Sequence, residues 1–260
     1  MRSSTEKNKQ YNNDFEKSPR EDVICGRNSV MEALRSGRQV DCVMIAGEEK
    51  GGILGKITAM ALDMGVPVKH VSAKKLDFMC GNASHQNVAA IFSAAEYVSV
   101  EDILKIAEER GESPFVVICD GIEDPHNLGA IIRTAEATGV HGIIVGKRRS
   151  ASLTASAAKA ASGALEYVPV ARVSNLASTI DNLKEKGLWV YAAHMEGDYY
   201  KDVDYSGGCA LIIGGEGSGV SRLSKEKCDK LVSLPMKGKI NSLNASVAAG
   251  ILMYEISTGR

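Results

Sequence analysis

The chain has 260 residues, with 31 Lys and Arg set against 32 Asp and Glu and a hydrophobic share of 44%. Near-neutrality excludes a binder that neutralises phosphate over its whole surface and leaves open a local basic patch. No apolar run approaches the roughly 18 residues that span a bilayer, residues 1–20 lack the apolar stretch of a secretory leader, and the six cysteines are far apart with no C-x-x-C, a usage that predicts neither a disulfide frame nor a zinc site and fits a reduced cytoplasm.

Residues 1–20 carry five basic and three acidic side chains and few apolar ones, which predicts a flexible tail. Residues 21–96 read as a small α/β unit. A helix at 29–35 stops at Gly37, a strand follows at 40–46, and a helix at 53–64 is closed by Gly65. The run 66–71 contains Pro67, which marks an edge strand, and 88–92 is a last strand. In residues 97–113, Val100, Ile103, Leu104 and Ile106 recur at helical spacing among five acids and two bases, which predicts a solvated helical linker. From Phe115, apolar runs at 115–119, 142–145, 168–173, 188–193, 210–213 and 231–234 alternate with helical patterns at 128–138, 153–161, 176–186, 220–230 and 243–256. This alternation predicts an α/β domain over 114–260, a mostly parallel sheet with helices on both faces. The Ser- and Ala-rich stretch 150–164 predicts a helix that lets another backbone come close.

Open parallel sheets gather ligands outside the carboxyl ends of their strands, and three loops there are rich in Gly, Asn, Ser or acid. The first runs from Asp120 through Pro125 and Asn127 into a helix bearing Arg133, with Asn127 as the expected N-cap. The second, Gly214-Gly-Glu-Gly-Ser-Gly219, is not a Walker loop, since no Gly-Lys-Ser/Thr follows. It is not a dinucleotide fingerprint either, since Val220 stands where the last glycine belongs. Glu216 would repel a phosphate, so this loop suits a ligand bearing positive charge. In the third, Asn241, Ser242, Asn244 and Ser246 crowd a helix start, where Ser242 or Asn241 is the expected cap; this is more polarity than one cap requires. The carboxylates show no metal-ligand clustering and the five histidines are scattered, so no metal is expected.

Together the loops resemble, in order, the three motifs of the SpoU/TrmH-type RNA ribose 2′-O-methyltransferases of the SPOUT superfamily. The match lies at Asn127, Gly129 and Arg133, at Gly214, Glu216 and Gly217, and at Pro235, Ser242, Leu243, Asn244 and Ser246, with Ser162-Gly163-Ala164 between. Residues 21–96 resemble that family's substrate-binding domain through Cys25–Val30 and Ser84–Ala90, and the two-domain arrangement is most similar to members that act on a guanosine of 23S rRNA. The resemblance implies a C-terminal trefoil knot, S-adenosylmethionine as methyl donor, and a homodimer joined through the catalytic domains. It implies Gly214, Gly217, Leu234, Met236 and Leu243 at the cofactor, and Arg133, Asn127, Glu216, Ser242 and Asn244 as the catalytic set, with Glu216 positioning Arg133 or Asn127. For RNA, Lys147, Arg148, Arg149, Lys237 and Lys239 flank the expected site, and Arg27, Asn28 and His85 are candidates in the small domain. A tRNA 2′-O-methyltransferase and an inactive RNA-binding relative are the alternatives.

Overall fold

A computed structural model describes residues 22–36, 39–47, 52–81 and 83–260; the expected tail at 1–20 lies outside them. The chain divides into two compact units between Ala94 and Ala95.

The first unit contains β1 (Val23–Cys25), α1 (Arg27–Arg35), β2 (Val40–Ala46), α2 (Gly52–Asp63), β3 (Val68–Val71), α3 (Ala73–Met79) and β4 (Val88–Phe92). Its sheet has the order β1-β4-β2-β3, so β3 is at an edge as Pro67 predicts. Every residue of β2 is buried. Val43 and Ile45 pack with Leu34, Leu54 and Ile57 on one face, while Cys42 and Met44 pack with Leu76 and Met79 on the other. The short α3, capped by the Ser72 side chain, is absent from the sequence reading. So is a disulfide: Cys25 at the end of β1 and Cys80 at the end of α3 are joined, with their Cα atoms 6.2 Å apart. Their separation of 55 residues gave no spacing signal. Cys119, Cys209 and Cys228 are free thiols.

The second unit contains β5 (Tyr97–Val98), α4 (Val100–Arg110), β6 (Phe115–Asp120), α5 (Pro125–Ala137), β7 (Gly142–Gly146), α6 (Ala155–Ala161), β8 (Val170–Val173), α7 (Leu176–Glu185), β9 (Trp189–Tyr199), β10 (Cys209–Gly214), α8 (Arg222–Lys227), β11 (Lys230–Ser233) and α9 (Ala245–Thr258). Its seven strands lie in the order β11-β9-β10-β6-β7-β8-β5, and each neighbouring pair is parallel. The period of two along β6 builds two cores. Phe115, Val117 and Cys119 meet Leu128 and Ile132 of α5 and Leu252 and Ile256 of α9, while Val116 and Ile118 meet Ile103 of α4 and Ile180 and Leu183 of α7.

The expected linker at 97–113 is therefore part of the larger unit. Its acids occupy the outer face of α4, whereas Val100, Ile103 and Ala107 are buried. A capping box between Ser99 and Asp102 opens the helix and a left-handed Gly111 closes it.

The small side chains of α6 do what their composition predicts. At Gly129 in α5, an added Cβ would overlap the Ala157 carbonyl and the Ala160 side chain. Gly129→Val is expected to cost about 1–3 kcal/mol of stability by overpacking, read by chemical denaturation.

At the opposite end of the sheet His141 is 2% exposed. Its Nδ1 accepts the Phe115 N–H at 2.9 Å, and its Nε2 lies 3.0 Å from a Glu112 carboxylate oxygen. Burial lowers its pKa from 6.5, and the hydrogen bond to Glu112 opposes this only partly. The unfolded chain thus takes up this proton first, so stability falls as the pH drops through about 6.5. Melting curves between about pH 7.5 and 5.5 should show this slope in the wild type and a shallower one in His141→Asn, whose Oδ1 can accept the Phe115 N–H.

Candidate active site at the carboxyl ends of the sheet

The first loop opens α5 differently from the sequence expectation. Asp124 is the N-cap, its Oδ1 accepting the His126 N–H at 2.9 Å, and Pro125 takes the first helical position. Asn127 therefore sits within the first turn, 7% exposed, with its side chain released for long-range contacts. At α9 the cap is Asn244 rather than Ser242 or Asn241, and its Oδ1 accepts the N–H groups of Ser246 at 2.9 Å and Val247 at 3.3 Å.

Three residues from three loops then close one network. Asn127 Nδ2 donates to Glu216 Oε1 at 2.7 Å, and Asn244 Nδ2 donates to the same oxygen and to Asn127 Oδ1, each at 3.0 Å. Both protons of the Asn244 amide are used, while its oxygen caps the helix. Glu216 Oε1 thus accepts from both Asn127 and Asn244, while the Arg133 guanidinium donates to Ser162.

Glu216 and Asn244 also line a cavity of about 640 Å³. Its wall includes Gly214, Gly217, Ser242 and the apolar Leu234, Met236 and Leu243. Leu234 packs partly against the core. Met236 and Leu243 are 38% and 40% exposed, so they are not ordinary core residues. The glycine loop is held at both ends by Asp120, whose carbonyl accepts the Gly215 N–H and whose carboxylate accepts the Ser221 N–H, each at 2.9 Å. An added Cβ at Gly215 would overlap the Gly121 carbonyl, and one at Gly214 would overlap the Gly219–Val220 peptide. No other residue lets these backbones meet.

Residues 114–254 match the SpoU rRNA methylase family. The chain belongs to that family. Residues 23–98 match the RNA 2′-O ribose methyltransferase substrate-binding family, consistent with the small α/β unit. Among relatives of this SpoU chain, a Bacillus subtilis protein assigned to the TrmH family of tRNA/rRNA methyltransferases, YacO, is 46% identical over 92% of this chain and 96% of its own length. Of solved structures, the AdoMet-bound rRNA methyltransferase of Sinorhizobium meliloti has a TM-score of 0.57 at 27% identity, covering 90% of this chain and 85% of that one. The SpoU methyltransferase AviRb of Streptomyces viridochromogenes, solved with AdoMet, has a TM-score of 0.57 at 23% identity, covering 91% and 89%, and so shares the fold. The chain is thus an RNA methyltransferase of the SpoU/TrmH family.

The remaining candidates fall in several places. Arg133 is exposed and outside the cavity wall; one guanidinium nitrogen donates to Ser162 Oγ at 3.4 Å. Lys147 and Arg148 line a smaller depression with Asp120 and Ser221, and Arg149 beside them is exposed. Lys237 and Lys239 are exposed on the loop after β11. In the small unit, Arg27 Nε donates to the Gln86 carbonyl at 3.2 Å and Asn28 is exposed. His85 accepts the Asn87 N–H at Nδ1 and meets Asp77 at Nε2, so both ring nitrogens already hold the loop. Among the described residues no cluster of three or more His, Cys, Asp or Glu could hold a metal.

Sequence reasoning missed His194, Met195 and Lys225 in the cavity wall. The first two lie where the apolar run of β9 was expected to stop. Lys225 is on a short helix whose sequence carries no motif.

Proposed function

We propose that this chain methylates a ribose 2′-hydroxyl of RNA, with a guanosine of 23S rRNA as the target, in the manner of the enzymes called RlmB. The convergence of Asn127, Glu216 and Asn244 beside a glycine-walled cavity carries the reading. S-adenosylmethionine is the methyl donor, and its sulfonium supplies an activated methyl group. The cavity fits it: about 640 Å³ lies within the size range of small-molecule sites, glycine backbones form the wall, and Met236 and Leu243 are exposed apolar surfaces suited to an adenine. Glu216 is a carboxylate facing a cationic ligand.

On the RNA side, Asn127, Ser242 and Asn244 orient the ribose and the loops. Arg133 binds a phosphate and stabilises the alkoxide that forms as the 2′-hydroxyl loses its proton. A guanidinium keeps its own proton at neutral pH, which favours this electrostatic role over that of a general base. Lys147, Arg148, Arg149, Lys237 and Lys239 hold phosphates near the site, and Arg27 and Asn28 contact RNA in the small domain, with His85 shaping the loop. Two catalytic domains pair through the exposed apolar face of α9, where Val247, Ile251 and Tyr254 are 50%, 38% and 54% exposed. The segment leading into α9 completes a trefoil knot. Among the described residues no helix is long and apolar enough to cross a membrane. A cytoplasmic location follows from the RNA substrate and not from cysteine usage, because Cys25 and Cys80 are paired.

The test is methyl transfer from labelled S-adenosylmethionine to separate 23S rRNA, 16S rRNA and tRNA, followed by nucleoside analysis. Label in 2′-O-methylguanosine from 23S rRNA is the expected result. Label in tRNA alone would reassign the substrate, and label in no RNA would favour an inactive binder.

A further inference from the structure

The ladder between β9 and β11 breaks in one place. Leu231 pairs with Ala192 and the next residue, Val232, pairs with Asp198. Residues 193–197 therefore leave the ladder as a five-residue bulge of β9, and bulges re-aim side chains beside a site. The bulge is built in: Ser233 Oγ donates to the Gly197 carbonyl at 2.8 Å and to the Asp198 carbonyl at 3.1 Å, and only a glycine at 197 leaves room for the Leu231 backbone.

The bulge brings His194 to the wall of the cofactor cavity, where Lys225 of α8 also lies. Within the bulge the Glu196 N–H donates to His194 Nδ1 at 3.3 Å. A ring nitrogen that accepts this N–H carries no proton, so in this tautomer Nε2 is the donor; a Glu196 carboxylate oxygen lies 4.0 Å from the same Nδ1. Nε2 lies 3.5 Å from the Lys225 ammonium. In that tautomer two donors face each other across the gap, and among the described residues no salt bridge to a carboxylate holds Lys225. The cavity wall contains one acid, Glu216, and one lysine, Lys225. An acceptor with negative charge would satisfy both donors at once.

We propose that Lys225 and His194 Nε2–H bind the α-carboxylate of the cofactor's amino-acid tail. This rests on the reading that the cavity holds S-adenosylmethionine. It gives the cavity a cation for the one anionic group of that ligand and leaves Glu216 for its cationic part.

Calorimetry with two ligands tests this: S-adenosylhomocysteine, and its decarboxylated analogue, which keeps the amine. Lys225→Met should weaken S-adenosylhomocysteine by about tenfold or more, the usual worth of a charge-assisted hydrogen bond, and leave the analogue within about twofold. His194→Phe should act in the same direction, and Lys225→Arg should restore part of the loss. Retained binding of the analogue shows that the variant is folded. Equal weakening of both ligands would overturn the proposal and make Lys225 a wall residue only. Unchanged binding of S-adenosylhomocysteine with weakened binding of RNA would also overturn it, in favour of an RNA phosphate. Failure of the wild type to bind either ligand would instead remove the cofactor cavity itself.

Discussion

Replacing Arg133 with alanine should lower the turnover of methyl transfer by about two to four orders of magnitude, the range for losing a group that stabilises charge in the transition state. The affinity for S-adenosylmethionine should stay within about twofold, because a residue outside the cavity does not contribute to ground-state binding there. Arg133→Lys should recover little, since a lysine supplies a point charge in place of a planar fork of donors. Single-turnover kinetics together with calorimetry separate the two quantities. Near wild-type turnover in Arg133→Ala would remove this residue from the mechanism.

The second large effect is expected at Asn244, where one side chain serves two ends. Its oxygen caps α9, and its amide protons hold Glu216 and Asn127. Asn244→Ala loses both functions, so it should cost about 1 kcal/mol for the cap and about a hundredfold or more in methyl transfer. Asn244→Asp separates them. It keeps an acceptor for the Ser246 and Val247 N–H groups but places a second carboxylate 3.0 Å from Glu216 Oε1, where like charges repel. Stability close to wild type with lost turnover in Asn244→Asp would locate the defect in the network. Wild-type turnover in Asn244→Asp would show that the network is dispensable.

Local patterns made most of the second unit legible. Continuous apolar strands alternating with helical spacing define the parallel sheet, and motif residues that looked independent in sequence meet at Glu216 Oε1. Errors arose where one residue type suits two roles. Asp124 and Asn127 are both good caps, and the choice falls on Asp124, which leaves Pro125 at the first helical position that its fixed φ and missing N–H suit. Asn241, Ser242 and Asn244 compete in the same way. Charge misled at α4, whose acids mark only its outer face while Ile103 is buried. Long-range geometry left no trace in sequence: the pairing of Cys25 with Cys80 depends on where β1 and α3 end. The bulge of β9 depends on Ser233 and Gly197 meeting across two strands. That bulge ended the apparent strand early and hid His194 and Met195 from the predicted site.

The most direct measurement is a map of ribose 2′-O-methylation in 23S rRNA from cells with and without this gene. The proposed function predicts that a single 2′-O-methylguanosine disappears with the gene and returns with the wild-type chain but not with Arg133→Ala. An unchanged 23S rRNA map, with a methyl group lost from tRNA or from no RNA, would contradict it.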